Sequence, residues 1–217
     1  MSLRRFICFE LLLVIFLVLL FLTIDEVLVV VVNSYTRYLY FLLGGALMFV
    51  IDRFTYRNNK MMKTFHHEST HMLVSLLTFR KVLMLKVEPD SGAVASAGSK
   101  RMLEAVSLSP YCLPLFAYVV MIFGYFFGRD MVNIYAVILG AAYAFHLLCI
   151  KDDFVSLKVL GRHQTDINQY PLLFSYSYIL SFWLFNTMIV LLSVRRDIVE
   201  AYLYIFDNFK QIVCSIF

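Results

Sequence analysis

The chain has 217 residues, of which 61% are hydrophobic and 16% charged, with a mean hydropathy of +0.79 and a formal net charge of +4. A soluble domain is typically about half apolar and about a quarter charged, so this composition excludes a soluble enzyme and indicates a polytopic membrane protein. The low glycine and proline content excludes collagen-like and disordered chains, and the small, scattered positive charge does not support nucleic-acid binding.

The first part of the chain is predicted to form a helical membrane anchor. Residues 6–24 have the length and apolar character of a transmembrane helix and contain a single charged residue, Glu10. No small-residue cleavage site follows, so we expect a retained anchor and not a signal peptide. Residues 27–51 are a second candidate span. The sequence leaves open whether Asp25 and Glu26 form a tight turn or a break inside one long helix.

The middle of the chain contains the most polar segments. A polar, basic stretch at residues 52–63 precedes a predicted amphipathic helix at residues 64–79, which contains three histidines. Residues 82–97 are predicted to form two short strands, with Pro89-Asp90-Ser91-Gly92 as the turn between them. We therefore expect a small β-hairpin directly after the histidine-rich helix.

Three further apolar runs predict three more transmembrane helices, at residues 102–127, 131–150 and 171–194. Pro110 and Pro114 are expected to kink the first of these helices. Because prolines are common in membrane helices, the kink by itself does not indicate a catalytic role.

The last segment and the distribution of positive charge bear on topology. Residues 198–217 place apolar side chains at helical spacing between charged ones, which predicts an amphipathic helix on the membrane surface.

If the 64–79 helix enters the membrane without crossing it, fourteen lysine and arginine residues share one side and four the other; if it crosses, the division is ten against eight. Because an excess of these residues marks the cytoplasmic face, we expect the non-crossing arrangement, with this helix towards the cytoplasm.

The histidine-rich helix contains a metal-binding pattern. His67, Glu68 and His71 spell H-E-x-x-H. On a helix, positions four apart differ by about 40° in azimuth, so both imidazoles can face one metal ion. Zinc lowers the pKa of a bound water to about 7, and the neighbouring glutamate can take its proton to generate a nucleophile. Ionisable groups packed beside apolar spans are usually functional, because exposing them to lipid costs several kcal/mol.

A catalytic zinc site usually has three protein ligands and one open position, so a third ligand must come from elsewhere. His66 points about 100° away from His67 on the same helix and is a poor ligand. Asp152 and Asp153 are expected to be solvated charges at a helix end, and His146 and His163 to be packing residues. Spacing alone does not select among the candidates, which are His66, His146, Asp152, Asp153, His163 and Asp166.

An H-E-x-x-H motif in a polytopic protein, with an aspartate close to a late span, resembles the site-2 protease class of intramembrane zinc peptidases, and above all its M50B-like branch. The likeness covers about residues 60–190. Asp166 is followed by Ile167, whereas glycine is usual in the class. In that family the aspartate of the late motif is the third zinc ligand, which implies this role for Asp166. Three further blocks match in order: Asp90-Ser91-Gly92-Ala93-Val94, Leu108-Ser109-Pro110-Tyr111-Cys112-Leu113-Pro114-Leu115 and Gln164-Thr165-Asp166-Ile167.

The resemblance implies a zinc endopeptidase that hydrolyses peptide bonds in or near transmembrane segments of membrane proteins. Zn²⁺ would be held by His67, His71 and Asp166, with Glu68 as general base and then acid to the leaving amine. The hairpin could hold an unwound substrate by strand addition, or could simply connect two helices. Two alternatives stay open: an inactive membrane protein that retains a metal site, and a transporter with a coincidental motif. The expected partners are a transmembrane protein substrate and the lipid bilayer, with no nucleic acid.

Together these features predict an all-α polytopic membrane protein with about five transmembrane helices, an amphipathic motif helix and a small β-hairpin near the active site. We expect a single integral membrane domain over residues 1–217. Within it we distinguish a helical anchor at 1–52, a metallopeptidase core at 57–194 and an amphipathic C-terminal helix at 195–217.

Overall fold

The computed structural model describes residues 3–89, 91–98, 102–124, 126–160, 165–195 and 198–216, and 81% of the structure is helical. The mostly helical fold with a single small hairpin is as predicted. The elements, in chain order, are α1 (Leu3–Val32), α2 (Tyr35–Phe54), α3 (Tyr56–Leu77), β1 (Lys81–Glu88), β2 (Ser91–Ala97), α4 (Leu103–Leu108), a 3₁₀ turn (Ser109–Tyr111), α5 (Leu115–Gly124), a second 3₁₀ turn (Arg129–Met131), α6 (Val132–Leu160), α7 (Thr165–Asn168), α8 (Leu172–Ser193) and α9 (Ile198–Ile216).

The described residues include three helices that are long and apolar enough to cross a membrane, within α1, α6 and α8. A fourth span results if the bent pair of α4 and α5 counts as one crossing. The predicted number of about five is therefore not confirmed. α2 is not among these helices, and it contains Arg37, Asp52 and Arg53 near its ends. The division into an anchor, a core and a C-terminal helix stays a prediction.

The N-terminal break falls at a different place from the boundary between the two predicted spans. α1 continues through Asp25 and Glu26 as far as Val32, and the chain turns at Asn33-Ser34 before α2 begins. Glutamate loses little rotamer freedom in a helix, whereas the adjacent pair Asn33-Ser34 competes for backbone hydrogen bonds and favours a turn. The second predicted span is therefore shared between α1 and α2.

The polar stretch before the motif is helical and is anchored by an ion-pair network. It contains neither glycine nor proline, so α3 begins at Tyr56, eight residues earlier than predicted. The Lys63 ammonium of α3 lies 2.7 Å from Asp52 of α2 and 2.6 Å from Asp152 of α6. Burial lowers the pKa of Lys63, but the two carboxylates outweigh this effect and raise it. This network fixes α3 against both neighbouring helices.

The hairpin follows α3 as predicted, with a tighter turn. β1 and β2 pair antiparallel, and Val87 faces Gly92 while Glu88 faces Ser91. Ser91 and Gly92 therefore belong to the second strand and not to the turn. The Ser91 hydroxyl donates a hydrogen bond of 2.8 Å to the Glu88 carboxylate across the strand ends. Asp90 lies outside the described residues.

The kink predicted from Pro110 and Pro114 is confirmed. α4 and α5 meet at an angle of 83°, with the 3₁₀ turn of residues Ser109–Tyr111 between them. The bend leaves backbone carbonyls free of helical partners. The Cys112 carbonyl accepts a hydrogen bond from the Asn186 side chain of α8. The Val106 carbonyl, just before the turn, is used at the site described below.

Close backbone contact joins α2 and α6. A Cβ atom added at Gly44 would overlap the carbonyl oxygen of Val137, and one added at Gly140 would overlap the carbonyl oxygen of Phe41. Small residues at helix crossings allow this approach in membrane proteins, where van der Waals packing drives association. The contact fixes α6, whose C-terminal part contributes side chains to the site.

The C-terminal segment is helical as predicted. The side chains of Ala201, Ile205 and Phe209 are buried against α1 and α8, which explains the apolar stripe on one face of α9. Arg196, Asp197 and Phe217 lie outside the described residues. The position of α9 on a membrane surface stays a prediction.

Candidate metal centre

Three predicted ligand residues converge although 95 residues separate His71 from Asp166 in the chain. The Oδ2 atom of Asp166 in α7 lies 3.6 Å from His67 Nε2 and 3.5 Å from His71 Nε2, both in α3. All three ligand atoms lie within 4.8 Å of one another. Ligands about 2.0–2.2 Å from a tetrahedral metal ion are roughly 3.3–3.6 Å apart, so the group matches the size of one coordination sphere.

Hydrogen bonds on the far side of each imidazole set the orientation of the ligand nitrogens. His71 Nδ1–H donates to the Val106 carbonyl at 2.7 Å, and His67 Nδ1–H donates to Asp153 Oδ2 at 3.2 Å. A carbonyl oxygen can only accept, so Nδ1 of His71 carries a proton and Nε2 is the nitrogen that faces Asp166. Partners of this kind are typical of metal-ligating histidines.

The charges of the cluster favour a bound cation. Burial alone would raise the pKa of Asp166, but hydrogen bonds to His67 and His71 outweigh it and lower the pKa well below its usual range. Burial alone would lower the pKa of His67, but Asp153 and Asp166 outweigh it and raise the pKa to about 10. A proton and a metal ion compete for the same imidazole lone pair. The negative charge that holds a proton on His67 would equally stabilise a metal ion between the three side chains.

Glu68 lies beside this group but does not belong to it. Its side chain is mostly buried, and it lies directly against Gly92 of the hairpin, where an added Cβ atom would overlap the glutamate. Glycine at this position therefore lets β2 approach Glu68. Burial raises the pKa of the Glu68 carboxyl, although the nearby His67 and His71 oppose this effect. A raised pKa brings a carboxylate closer to the value that suits a general base.

The donor set fits a catalytic metal ion. Two imidazoles and one carboxylate, with a separate glutamate alongside, is a known ligand arrangement of hydrolytic metal sites that leave one position open. The Nε2 atoms of both imidazoles face the Asp166 carboxylate, and an ion bound between them would take the place of the proton that this negative charge holds on His67.

The family model described as Peptidase M50B-like matches residues 42–206, about three quarters of the chain. The chain belongs to this family. The matched segment includes all four residues of the predicted site and the whole hairpin, and it confirms the resemblance to M50 peptidases of the site-2 protease type. No curated protein and no solved structure matches the chain significantly. Membership supports a membrane metallopeptidase-like function with a metal cofactor.

The other ligand candidates of this M50B-like chain have different surroundings. His66 and His146 lie next to each other, with 5.4 Å between ring centroids, and His66 also packs against Phe116 and Phe145. Neither belongs to the group of converging ligand atoms. Asp152 is bound to Lys63. His163 lies outside the described residues.

The expectation that Asp152 and Asp153 are solvated charges at a helix end is wrong. α6 continues beyond its apolar part to Leu160, so both aspartates lie within the helix and face α3. On α3, Lys63 and His67 are one helical turn apart, and each binds one of the two aspartates. Asp153 was missed because two adjacent acidic residues after a lysine look the same in a sequence whether they meet water or a histidine.

Replacing Asp153 with asparagine is expected to weaken metal binding about 10- to 100-fold, because groups that hydrogen-bond the far nitrogen of a ligating histidine have effects of this size. The amide can still accept the His67 hydrogen bond but lacks the negative charge. Competition with a chromophoric Zn²⁺ chelator measures the change. Asp130→Asn, an exposed site just before α6, is the matched control. Equal affinities in the two variants would exclude this role for Asp153.

Proposed function

We propose that this chain is a zinc peptidase that hydrolyses peptide bonds in or near transmembrane segments of other membrane proteins. The observation that carries the proposal is the convergence of His67, His71 and Asp166 beside the buried Glu68. The site lies among helices that are apolar enough to cross a membrane, and the chain belongs to a peptidase family. Both features favour a membrane-embedded hydrolase.

The proposed roles of the site residues are metal binding, proton transfer and orientation of the ligands. His67, His71 and Asp166 would hold the ion. When bound, zinc would supply a Lewis acid that activates water and polarises a carbonyl. Glu68 takes a proton from the attacking water as general base and then donates it to the nitrogen of the leaving amine. Asp153 and the Val106 carbonyl hold the imidazoles in the tautomer that ligation requires.

A transmembrane substrate must unwind before cleavage, because its scissile carbonyl otherwise accepts a helical hydrogen bond. The hairpin is suited to hold the unwound segment. It contains only two strands within the described residues, so each strand has an outer edge with no strand partner, and an extended peptide can pair with such an edge. The contact between Gly92 and Glu68 places β2 next to the proposed base.

We further propose that the site faces the cytoplasm. The motif helix, the hairpin and the loop after α6 share the lysine- and arginine-rich side in the arrangement where α3 does not cross. α3 is not among the helices apolar enough to span, which favours that arrangement.

Metal removal provides the direct test. The full chain, purified in detergent and reconstituted with a panel of tagged single-span proteins, is expected to contain one zinc ion per chain and to cleave at least one of them. A strong chelator should abolish cleavage because the nucleophile is no longer activated, and stoichiometric Zn²⁺ should restore it. Elemental analysis and mass spectrometry of the fragments measure the two results.

Cleavage that persists after complete removal of the metal would contradict the proposal. A chain that retains zinc and cleaves none of the panel would instead favour the inactive metal-binding alternative.

A further inference from the structure

Tyr111 is the last residue of the 3₁₀ turn at the bend between α4 and α5. Its side chain is completely buried, and its ring lies edge-on to the His67 imidazole, with 5.6 Å between the centroids. The ring also contacts Phe154 of α6, with a centroid separation of 6.0 Å. These contacts fix the phenol beside the candidate metal centre.

The hydroxyl of this tyrosine is buried and has no hydrogen-bond partner among the described residues. Native proteins provide partners for nearly all buried polar side-chain atoms, so an orphaned hydroxyl requires an explanation. Phenylalanine would serve the packing equally well and would leave no polar group unpaired. The hydroxyl lies close enough to Glu68, Asp153 and Asp166 to interact with them electrostatically. A group that arrives with the substrate would provide such a partner.

We propose that the Tyr111 hydroxyl donates a hydrogen bond to the oxygen of the scissile carbonyl as negative charge develops there; this inference rests on the proposed peptidase function. When water adds to the carbonyl carbon, the π electrons of the C=O bond move to the oxygen. A preorganised donor in a buried site stabilises this charge. The water proton goes to Glu68. The phenol keeps its own proton, because ionising it near three carboxylates would bring like charges together.

The ring of the same side chain borders an apolar cavity, which is a place for an apolar part of the substrate. Tyr111 forms part of the wall of a cavity of about 340 Å³, and the rest comes from α6 and α8, including Phe154, Ile179 and Trp183. Cavities of this size accept large apolar groups. A large apolar side chain of a substrate would fit this cavity and would contact the Tyr111 ring. The tyrosine thus lies between the proposed ligands and a space suited to an apolar segment.

The variant Tyr111→Phe tests the proposal, because it removes one oxygen atom and keeps the ring. Tyr178→Phe, in the same buried cluster on α8, is the matched control. Two probes are titrated against the zinc-loaded full chain. One is a phosphoramidate dipeptide with apolar side chains, whose tetrahedral anion resembles the tetrahedral carbon with its negatively charged oxygen. The other is a small alkyl thiol that binds metal without such an anion. We expect Tyr111→Phe to lose about 10- to 100-fold in phosphoramidate affinity, the range of one hydrogen bond to a charged group.

Zinc content, thermal midpoint and thiol affinity should equal those of the control. On a cleaved substrate, kcat should fall about 10²- to 10³-fold with KM nearly constant. Unchanged phosphoramidate affinity, or an equal loss for both probes, would overturn the role of Tyr111. A wild-type chain that holds zinc and binds neither probe would contradict the peptidase function, and this inference with it.

Discussion

Replacing Glu68 with glutamine is expected to lower the cleavage rate about 10²- to 10⁴-fold, which is the usual contribution of a general acid–base residue. Glutamine has nearly the same shape, so it can occupy the space against Gly92 that the glutamate fills. It cannot take the proton of the attacking water or deliver one to the leaving amine. Metal binding should be unaffected, because the converging ligand atoms belong to His67, His71 and Asp166.

The measurement compares cleavage of the same single-span substrate by wild type and variant, together with the zinc content of each. Glu200→Gln, at an exposed position of α9, is the matched control for the loss of one carboxylate. Full cleavage by Glu68→Gln would remove the peptidase mechanism. Loss of metal in this variant alone would show that the glutamate is a ligand and would exclude its assignment as the base.

Much of the fold follows from local pattern. The apolar runs predict α6 and α8, alternation and turn residues predict the hairpin, and two prolines predict the bend between α4 and α5. Each of these features depends only on residues close in sequence: the length of an apolar run, the period of apolar residues, or the amide hydrogen that proline lacks. The H-E-x-x-H spacing places His67 and His71 on one helix face for the same reason.

Features that depend on distant contacts were not accessible in the same way. Spacing left six candidates for the third ligand, and only the family resemblance selected Asp166. The partnership of His67 with Asp153 depends on how far α6 continues past its apolar part, and helix ends are weakly encoded where no glycine or proline stops the chain. The close contact at Gly44 and Gly140 depends on two helices far apart in sequence. Length and composition alone also could not separate α1 from α2 at the correct residue.

The position of the Tyr111 hydroxyl could not be predicted from the sequence either. Tyr111 lies within one of the blocks that resemble the family, but nothing in the sequence distinguishes it from its neighbours. Its interest comes from a buried hydroxyl without a partner and from an edge-on contact with His67. Both are properties of packing, so only a three-dimensional structure reveals them.

Replacing Asp166 with asparagine is expected to reduce metal affinity by more than the roughly 10- to 100-fold that follows from losing a hydrogen-bond partner of a ligating histidine. The asparagine amide is neutral and is a weak metal ligand. Without the carboxylate, only the two imidazoles hold the ion. The expected order of affinities is Asp130→Asn equal to wild type, Asp153→Asn lower and Asp166→Asn lowest. Competition with a chelator for Zn²⁺ gives all three values on one scale, and cleavage should fall in the same order.

The order of the two aspartate variants decides which carboxylate binds the ion. Asp166 faces the Nε2 atoms of both histidines, whereas Asp153 lies at Nδ1 of His67, on the opposite side of that ring. If Asp153 were the ligand, the ion would lie at Nδ1 of His67. His71 could not bind that ion, because its Nδ1 is bound to the Val106 carbonyl and its Nε2 faces Asp166. One ion shared by both histidines therefore requires Asp166. Tighter metal binding by Asp166→Asn than by Asp153→Asn would contradict this geometry.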